Sequence, residues 1–174
     1  MKMPVAYIGI GSNIEPEKNI AAALRLIAEQ TTVIALSTFY RTQALGRPES
    51  PAFYNGAAKL RTDAGPRELK LEILRKIETA LGRRREKDKY APRTIDLDII
   101  IYDDLVSAEP DLIIPDPDIA RREFVALPLL ELDPKLVLPG IGRPLAEIAA
   151  NMYGHDMEPL EEFSRLLRET VVVT

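Results

Sequence analysis

Apolar positions along this chain recur with periods that switch between two and about 3.6, and each switch marks an element. Residues 5–10 form a run of β-branched and apolar residues, the pattern of a buried strand, closed by the glycine-rich turn Gly9-Ile10-Gly11-Ser12-Asn13. Behind Pro16, which suits a first helical turn, Ile20, Ala23, Leu24 and Ile27 recur at helical spacing and predict a helix to about residue 30. Residues 32–41 predict a second strand, 42–52 a loop carrying Gly46, Pro48 and Pro51, and 53–61 a third strand. Pro66 then opens a helix with one apolar stripe, Leu69, Ile73, Leu74, Ile77 and Leu81, which Gly82 terminates at C′. A basic segment follows and runs into a fourth strand over 94–102. The order β-α-β-β-α-β predicts an α+β fold of the ferredoxin-like, split βαβ kind. Beyond it, Asp103-Asp104 predicts a hairpin turn, 124–130 a short helix, and 145–151 and 159–170 C-terminal helices. The expected organisation is a single domain over 1–174, in which 141–174 is an extension.

In the fourth strand Ile95, Leu97, Ile99 and Ile101 alternate with Asp96 and Asp98, and a period of two puts both aspartates on one face. Two carboxylates roughly 5 Å apart repel by about 3 kcal/mol at an effective dielectric of about 20. They need a cation or a shared proton to stay close at neutral pH. Hard oxygen ligands favour Mg2+ over zinc. Immediately upstream, residues 83–93 hold six Lys or Arg against two acids, a local charge of +4 in a chain of net −4. Guanidinium forks suit phosphate oxygens. Alone, an Asp-x-Asp on a strand is commonly solvated decoration and a basic run a solvated face or a nucleic-acid patch. Side by side, they share one economical ligand, a magnesium polyphosphate.

Composition narrows the chemistry. A chain of 174 residues without cysteine has no disulfide framework, thiolate zinc site or cysteine nucleophile. Its one histidine, His155, lies near the C-terminus and is expected on the surface, so a histidine triad or three-histidine metal centre is excluded. The net negative charge argues against general nucleic-acid binding, which needs a broad positive face. The residues before Val5 are too few for a signal peptide, and no apolar run approaches the roughly 20 residues that span a bilayer. The expectation is a soluble, cytoplasmic monomer with no membrane or nucleic-acid partner.

Other motifs have rival readings. Ile14 stands where a dinucleotide fingerprint needs its third glycine, and no Gly-Lys-Ser/Thr follows, so the glycine-rich turn serves either as a tight strand-to-helix connection or as backbone beside a ligand. Phe53 and Asn55 share a face of the third strand, as a core aromatic or as a ring stacker beside an amide that reads a heterocycle edge. The βαββαβ order also describes RNA-recognition modules. Here, however, Phe53 and Tyr54 lie on opposite faces, and two carboxylates would stand where RNA must lie. A polymerase-β-like nucleotidyltransferase would need a Gly-Ser on a helix and a third acid, neither of which is evident.

Ala6-Tyr7-Ile8-Gly9-Ile10-Gly11-Ser12-Asn13, Phe39-Tyr40-Arg41-Thr42, Asn55-Gly56-Ala57, Pro92-Arg93-Thr94-Ile95-Asp96-Leu97-Asp98-Ile99 and Arg122-Glu123-Phe124-Val125 together resemble the 6-hydroxymethyl-7,8-dihydropterin pyrophosphokinase family of folate biosynthesis. The resemblance spans roughly residues 4–140 and implies an ATP-dependent transferase that moves pyrophosphate from ATP onto the pterin hydroxymethyl group and leaves AMP. It implies two Mg2+ ions held by Asp96 and Asp98, with Arg83 and Arg93 also catalytic. It assigns Glu78, Arg85, Lys89, Tyr90, Arg93, Ile99 and Arg122 to ATP, and Gly9, Thr42, Leu45, Phe53, Asn55 and Phe124 to the pterin, sandwiched between Phe53 and Phe124. Phosphoryl-type transfer asks for positioning and charge neutralisation rather than a protein nucleophile, which agrees with the composition. The chain departs from the family pattern at Asp116, where a histidine is common, at Gln43, where a proline is common, and at Lys89-Tyr90, where Arg-Trp can occur. Asp116 motivates the alternative of a catalytically impaired paralogue that binds nucleotide or pterin. The acidic stretch 156–162 is expected to be a solvated helix face.

Overall fold

β1 (Val5–Ser12) carries no polar side chain except Tyr7 and Ser12 because it is paired on both edges, antiparallel to β4 (Phe53–Arg61) and to β5 (Asp96–Tyr102). In this computed structural model, which describes residues 2–174, β2 (Thr32–Leu36) pairs β4 beside β3 (Tyr40–Thr42), and with β8 (Glu158–Pro159) the main sheet runs β5-β1-β4-β3-β8. α1 (Pro16–Gln30) follows β1, and a second helical run lies between β4 and β5. This is the ferredoxin-like order with its second strand split.

The split corrects the single strand expected over 32–41. Ser37 N donates to Ala57 O at 2.9 Å while its own Oγ accepts from Ala57 N at 2.8 Å, so a side chain takes the place of a ladder carbonyl. Two residues on, the buried Phe39 ring lies under Gly56, where a Cβ would sit 2.7 Å from it. The second helical run is continuous but not uniformly α: α2 (Pro66–Glu68) passes through a π-helical stretch, Leu69–Leu74, into α3 (Arg75–Ala80). The predicted stripe holds, with Leu69, Ile73, Leu74 and Ile77 buried, and Gly82 takes φ +85 at the helix end.

Ala6, Ile8 and Ile10 of β1 face α1 and the second helical run, with Ile95, Leu97 and Ile99 on the same side. The alternation along β5 fails at a register shift opposite Tyr7/Ile8, which sends Ile101 to the other face with Tyr7. There α4 (Glu123–Leu132) and α5 (Leu145–Ile148) cover part of the sheet through Ala126, Leu129 and Leu145. The turn at Asp103-Asp104 ties back to β1, with Val5 N donating to Asp103 Oδ1 at 2.8 Å, and does not return as a hairpin. The hairpin is β6 (Ser107–Glu109) with β7 (Leu112–Ile114), a separate sheet.

The C-terminal stretch is built into the fold. β8 (Glu158–Pro159) pairs β3, and α6 (Glu161–Val171) sets Phe163 edge-on to Phe39 and Tyr54. The predicted helices there are shorter or start later: one ends at Ile148, and the other begins at Glu161, where Leu160 N is drawn onto Phe39 O at the sheet edge. Asp156, Glu158, Glu161 and Glu162 are exposed, and so is His155, as expected. Among the described residues no helix is long and apolar enough to cross a membrane.

Candidate active site

The face of the sheet that carries Tyr7 is covered only in part by α4 and α5, and beside them it opens into a cleft of about 340 Å3. Its floor follows from the strand period. Gly9 and Gly11 of β1, Phe53 and Asn55 of β4, and Asp96 and Asp98 of β5 all project to this side. Two glycines in the central strand leave room where side chains would fill it. Phe124 and Arg122 close one wall from the start of α4, and Thr42, at the end of β3, and Leu45, just beyond it, line another. Lys89, Tyr90 and Arg93 enter from the basic segment.

One end is neutral. Tyr40 pairs with Asn55 and Thr42 with Phe53, so Thr42 and Asn55 are brought within bonding reach, and Asn55 Nδ2 donates to Thr42 Oγ1 at 2.8 Å. Gly11 stands directly opposite Asn55, and a Cβ there would lie 2.6 Å from Asn55 Oδ1. Only glycine allows that amide its place. Phe53 and Phe124 both line this cleft, so the two aromatics expected to sandwich a ring open on one space.

The other end is charged, and its two aspartates differ. Asp96 accepts from Arg83 at 2.7 Å and from Arg93 at 2.8 Å, one guanidinium on each carboxylate oxygen. Asp98 has neither. Withdrawal from water, followed by the charges of Asp96 and Asp116, pushes its carboxyl up from 3.8 to about 7, against the opposing pull of Arg83 and Arg93. Protein surrounds Asp98 on most sides, yet its side chain opens on the cleft and is reached by solvent there. Asp116 also lines the cleft. Burial raises its carboxyl, against the backbone N–H of Asp118, which donates to Asp116 Oδ1 at 2.8 Å.

Three residues anticipated at ATP, Glu78, Arg85 and Ile99, and one anticipated as catalytic, Arg83, lie outside the cleft lining. Glu78 is buried; it accepts from Arg83, from Arg85 at 3.0 Å and from Leu97 N at 3.2 Å. Arg83, with its side chain only 11% exposed, sits between Glu78 and Asp96 and not on open space. Arg85 reaches back to Glu78, and Ile99 points to the helix side by the same period that points Asp98 into the cleft. Conversely, Gly11, Gln43, Asp118 and Val125 line the cleft unanticipated. Gly11 was legible, since it shares a face with Gly9. The role of the buried Asn13 was not: it accepts from Arg93 N at 2.7 Å across 80 residues.

The donor chemistry fits Mg2+. Asp96 and Asp98 share a face, and Asp98 lacks a cation. No group of three or more His, Cys, Asp or Glu side chains among the described residues is arranged to hold a metal. A cation held here would need its remaining oxygens from a ligand and from water, as Mg2+ does in nucleotide sites.

Comparison with known proteins bears on the same residues. Residues 7–134 match the model of the family described as 7,8-dihydro-6-hydroxymethylpterin-pyrophosphokinase (HPPK). The chain is 36% identical to 2-amino-4-hydroxy-6-hydroxymethyldihydropteridine pyrophosphokinase of Haemophilus influenzae, over 89% of this chain and 97% of the relative. It is 39% identical to the protein of the same name from Pseudomonas aeruginosa, over 83% and 89% respectively. Among solved structures it resembles the wild-type HPPK-DHPS of Plasmodium falciparum with a TM-score of 0.67 over 86% of this chain. At 12% identity that likeness concerns the fold alone, and the chain spans 45% of that longer protein.

Proposed function

The chain belongs to the 7,8-dihydro-6-hydroxymethylpterin-pyrophosphokinase family, and from this we infer that it transfers the terminal pyrophosphoryl group of ATP to 6-hydroxymethyl-7,8-dihydropterin in folate biosynthesis. The observation that supports this reading best is one cleft with a neutral aromatic-amide end and an acidic end flanked by arginines. A flat heterocycle and a metal polyphosphate need those two environments, adjacent to each other.

In the transfer, the hydroxymethyl oxygen attacks the β-phosphorus, the bond from that phosphorus to the α-phosphate bridging oxygen breaks, the hydroxyl proton is released, and AMP leaves. No protein nucleophile takes part. Asp96 and Asp98 would hold two Mg2+ ions, which neutralise phosphate charge and polarise the reacting oxygens when bound. The rest of the work is positioning. Phe53 and Phe124 hold the ring by stacking, while Asn55, fixed by Thr42, reads its polar edge. Lys89, Arg93 and Arg122 face the same cleft and take phosphate oxygens. Arg93 must exchange Asp96 for phosphate to do so. Arg83, Arg85 and Glu78 act from behind: Arg83 bonds to both Glu78 and Asp96 and holds the Asp96 carboxylate in place.

Product analysis tests the reading. Incubation with ATP, Mg2+ and the pterin alcohol should give AMP and a pterin pyrophosphate in equal amounts, with no AMP when the alcohol is omitted. Formation of ADP, or binding of both ligands without turnover, would refute it; the second outcome would mark the impaired paralogue.

A further inference from the structure

Thr38 and Phe39, between β2 and β3, fall outside the ladder with β4, and the groups that hold them come from the other side. Thr38 N donates to Glu131 Oε1 at 2.8 Å, and Phe39 N donates to Ser164 Oγ at 2.7 Å. The same Ser164 hydroxyl donates to Leu160 O at 2.7 Å, while Leu160 N donates to Phe39 O at 2.8 Å. Both backbone groups of residue 39 are thus taken by the C-terminal stretch. One turn further along α6, Arg168 donates through Nε to Leu36 O at 3.0 Å and through Nη2 to Thr38 Oγ1 at 3.1 Å and Glu131 Oε1 at 3.4 Å. Tyr40 OH donates to the other oxygen of Glu131 at 3.3 Å, so α6 and the start of β3 converge on one carboxylate of α4, the helix whose first turn carries Phe124. Ser164 and Phe39 are fully buried, and water cannot easily replace a partner lost there. β3 is only three residues long and has few ladder bonds of its own. Its last residue, Thr42, is the one that holds the Asn55 amide.

We propose that Ser164 and Arg168 are positioning residues for the pterin: from α6 they set β3 and, through Thr42, the Asn55 amide that reads the polar edge of the ring. α6 itself lies outside the cleft, whose lining runs from Gly9 to Val125, and beyond residues 7–134, which match the family. It acts on one end only. The charged end is built from β5 and the segment before it, and β5 stands at the opposite edge of the sheet from β8. A displaced β3 therefore costs pterin affinity and leaves the nucleotide alone. The inference rests on the functional reading above and adds two residues that touch neither ligand in that reading.

The test is isothermal titration of a non-hydrolysable ATP analogue in Mg2+, and then of the pterin alcohol into the saturated complex. Ser164→Ala strands Phe39 N in the core and should raise the dissociation constant of the pterin by about fivefold or more, with that of the nucleotide within about twofold. Arg168→Ala removes a partly exposed side chain and should raise the pterin constant by about threefold. It decides if Ser164→Ala fails to fold. Leu167→Ala, which empties core space on the same helix, is the control: it should lower the melting temperature and leave the ratio of the two affinities unchanged. In Thr42→Val, where the link to Asn55 is already cut, adding Ser164→Ala should cost less than about twofold further in pterin affinity. Pterin affinity unchanged in the folded variants, parallel losses for both ligands, an equal shift of the ratio in Leu167→Ala, or full additivity with Thr42→Val would each overturn the proposal. Failure of the natural protein to bind the pterin would instead remove the functional reading, and this inference with it.

Discussion

The neutral and charged ends of the cleft are fixed by different forces. At the neutral end, strand register sets Thr42 beside Asn55 and Gly11 opposite it, through backbone ladders that no ligand disturbs. At the charged end the geometry comes from guanidinium-carboxylate pairs, and Asp96 is occupied on both oxygens by groups that, in the proposed function, would be partly displaced by a metal polyphosphate. A preformed pocket confers selectivity at little cost in ordering, whereas a cluster of exchangeable ions keeps like charges tolerable until substrate replaces them. The ends should therefore respond differently to substitution.

The largest effects belong to the charged end. Asp98→Ala and Asp96→Ala should each lower AMP formation by more than tenfold, because a lost metal ligand costs several kcal/mol in the transition state. Their stabilities should diverge. Without Mg2+, Asp98→Ala should melt at or above the natural protein, since it removes an uncompensated charge. Asp96→Ala should melt lower, because it strips Arg93 of its carboxylate partner and leaves Arg83 with Glu78 alone. Equal stability shifts in thermal melts would mean the two aspartates do not differ as the ion pairs indicate.

At the neutral end the effect should be smaller and confined to one ligand. Phe124→Ala should weaken pterin binding by about 1–3 kcal/mol, by analogy with base-aromatic stacks, and leave ATP-analogue binding within about twofold. Parallel losses by titration would make Phe124 a packing residue. Gly11→Ala probes the same end without touching the ring face: displacement of Asn55 should cost pterin affinity while melting changes little.

What could be read from sequence divides along the same line. The floor of the cleft was legible, because a period of two assigns Phe53, Asn55, Asp96 and Asp98 to faces from local information. Arg93 and Arg122 line the cleft as expected, whereas Arg83 and Arg85 lie behind it, for a physical reason. Six basic residues among the eleven of 83–93 announce phosphate affinity, but whether Arg83 meets a phosphate or a buried Glu78 depends on a helix five residues back and a strand thirteen residues ahead. The role of Asn13 was invisible for the same reason, since its partners are 38 and 80 residues distant. The break in the second strand was hidden because the Ser37 hydroxyl substitutes for backbone pairing, which leaves the apolar pattern unchanged.

A pH effect separates the ends more finely. The carboxyl of Asp98 is raised from 3.8 to about 7 in the fold, so the folded state holds a proton there that the unfolded chain has released. Stability from this group is whole below about pH 4, is lost as pH rises through 4 to 7, and is level above that. Asp98→Asn is neutral throughout. Its melting temperature should exceed that of the metal-free natural protein by more at pH 7.5 than at pH 5, and added Mg2+ should narrow the gap at pH 7.5. A gap independent of pH would show that Asp98 ionises in the fold as it does in the unfolded chain.

The smallest effect is expected where the two ends are joined at the surface. Arg47 and Asp88 form an ion pair whose side chains are 43% and 36% exposed, and pairs in such settings contribute about 0–1 kcal/mol. Arg47→Ala should therefore raise the KM for the pterin by less than about fivefold, with kcat nearly unchanged. The difference from the natural protein should fade between low and physiological ionic strength, where the Debye length is about 8 Å. The charge-reversed double variant, Arg47→Asp with Asp88→Arg, should recover most of the loss. If Arg47→Ala instead lowers kcat by tenfold or more at any salt, Arg47 belongs to the charged end as a phosphate-facing group, and its pairing with Asp88 would be a resting contact, like that of Arg93 with Asp96.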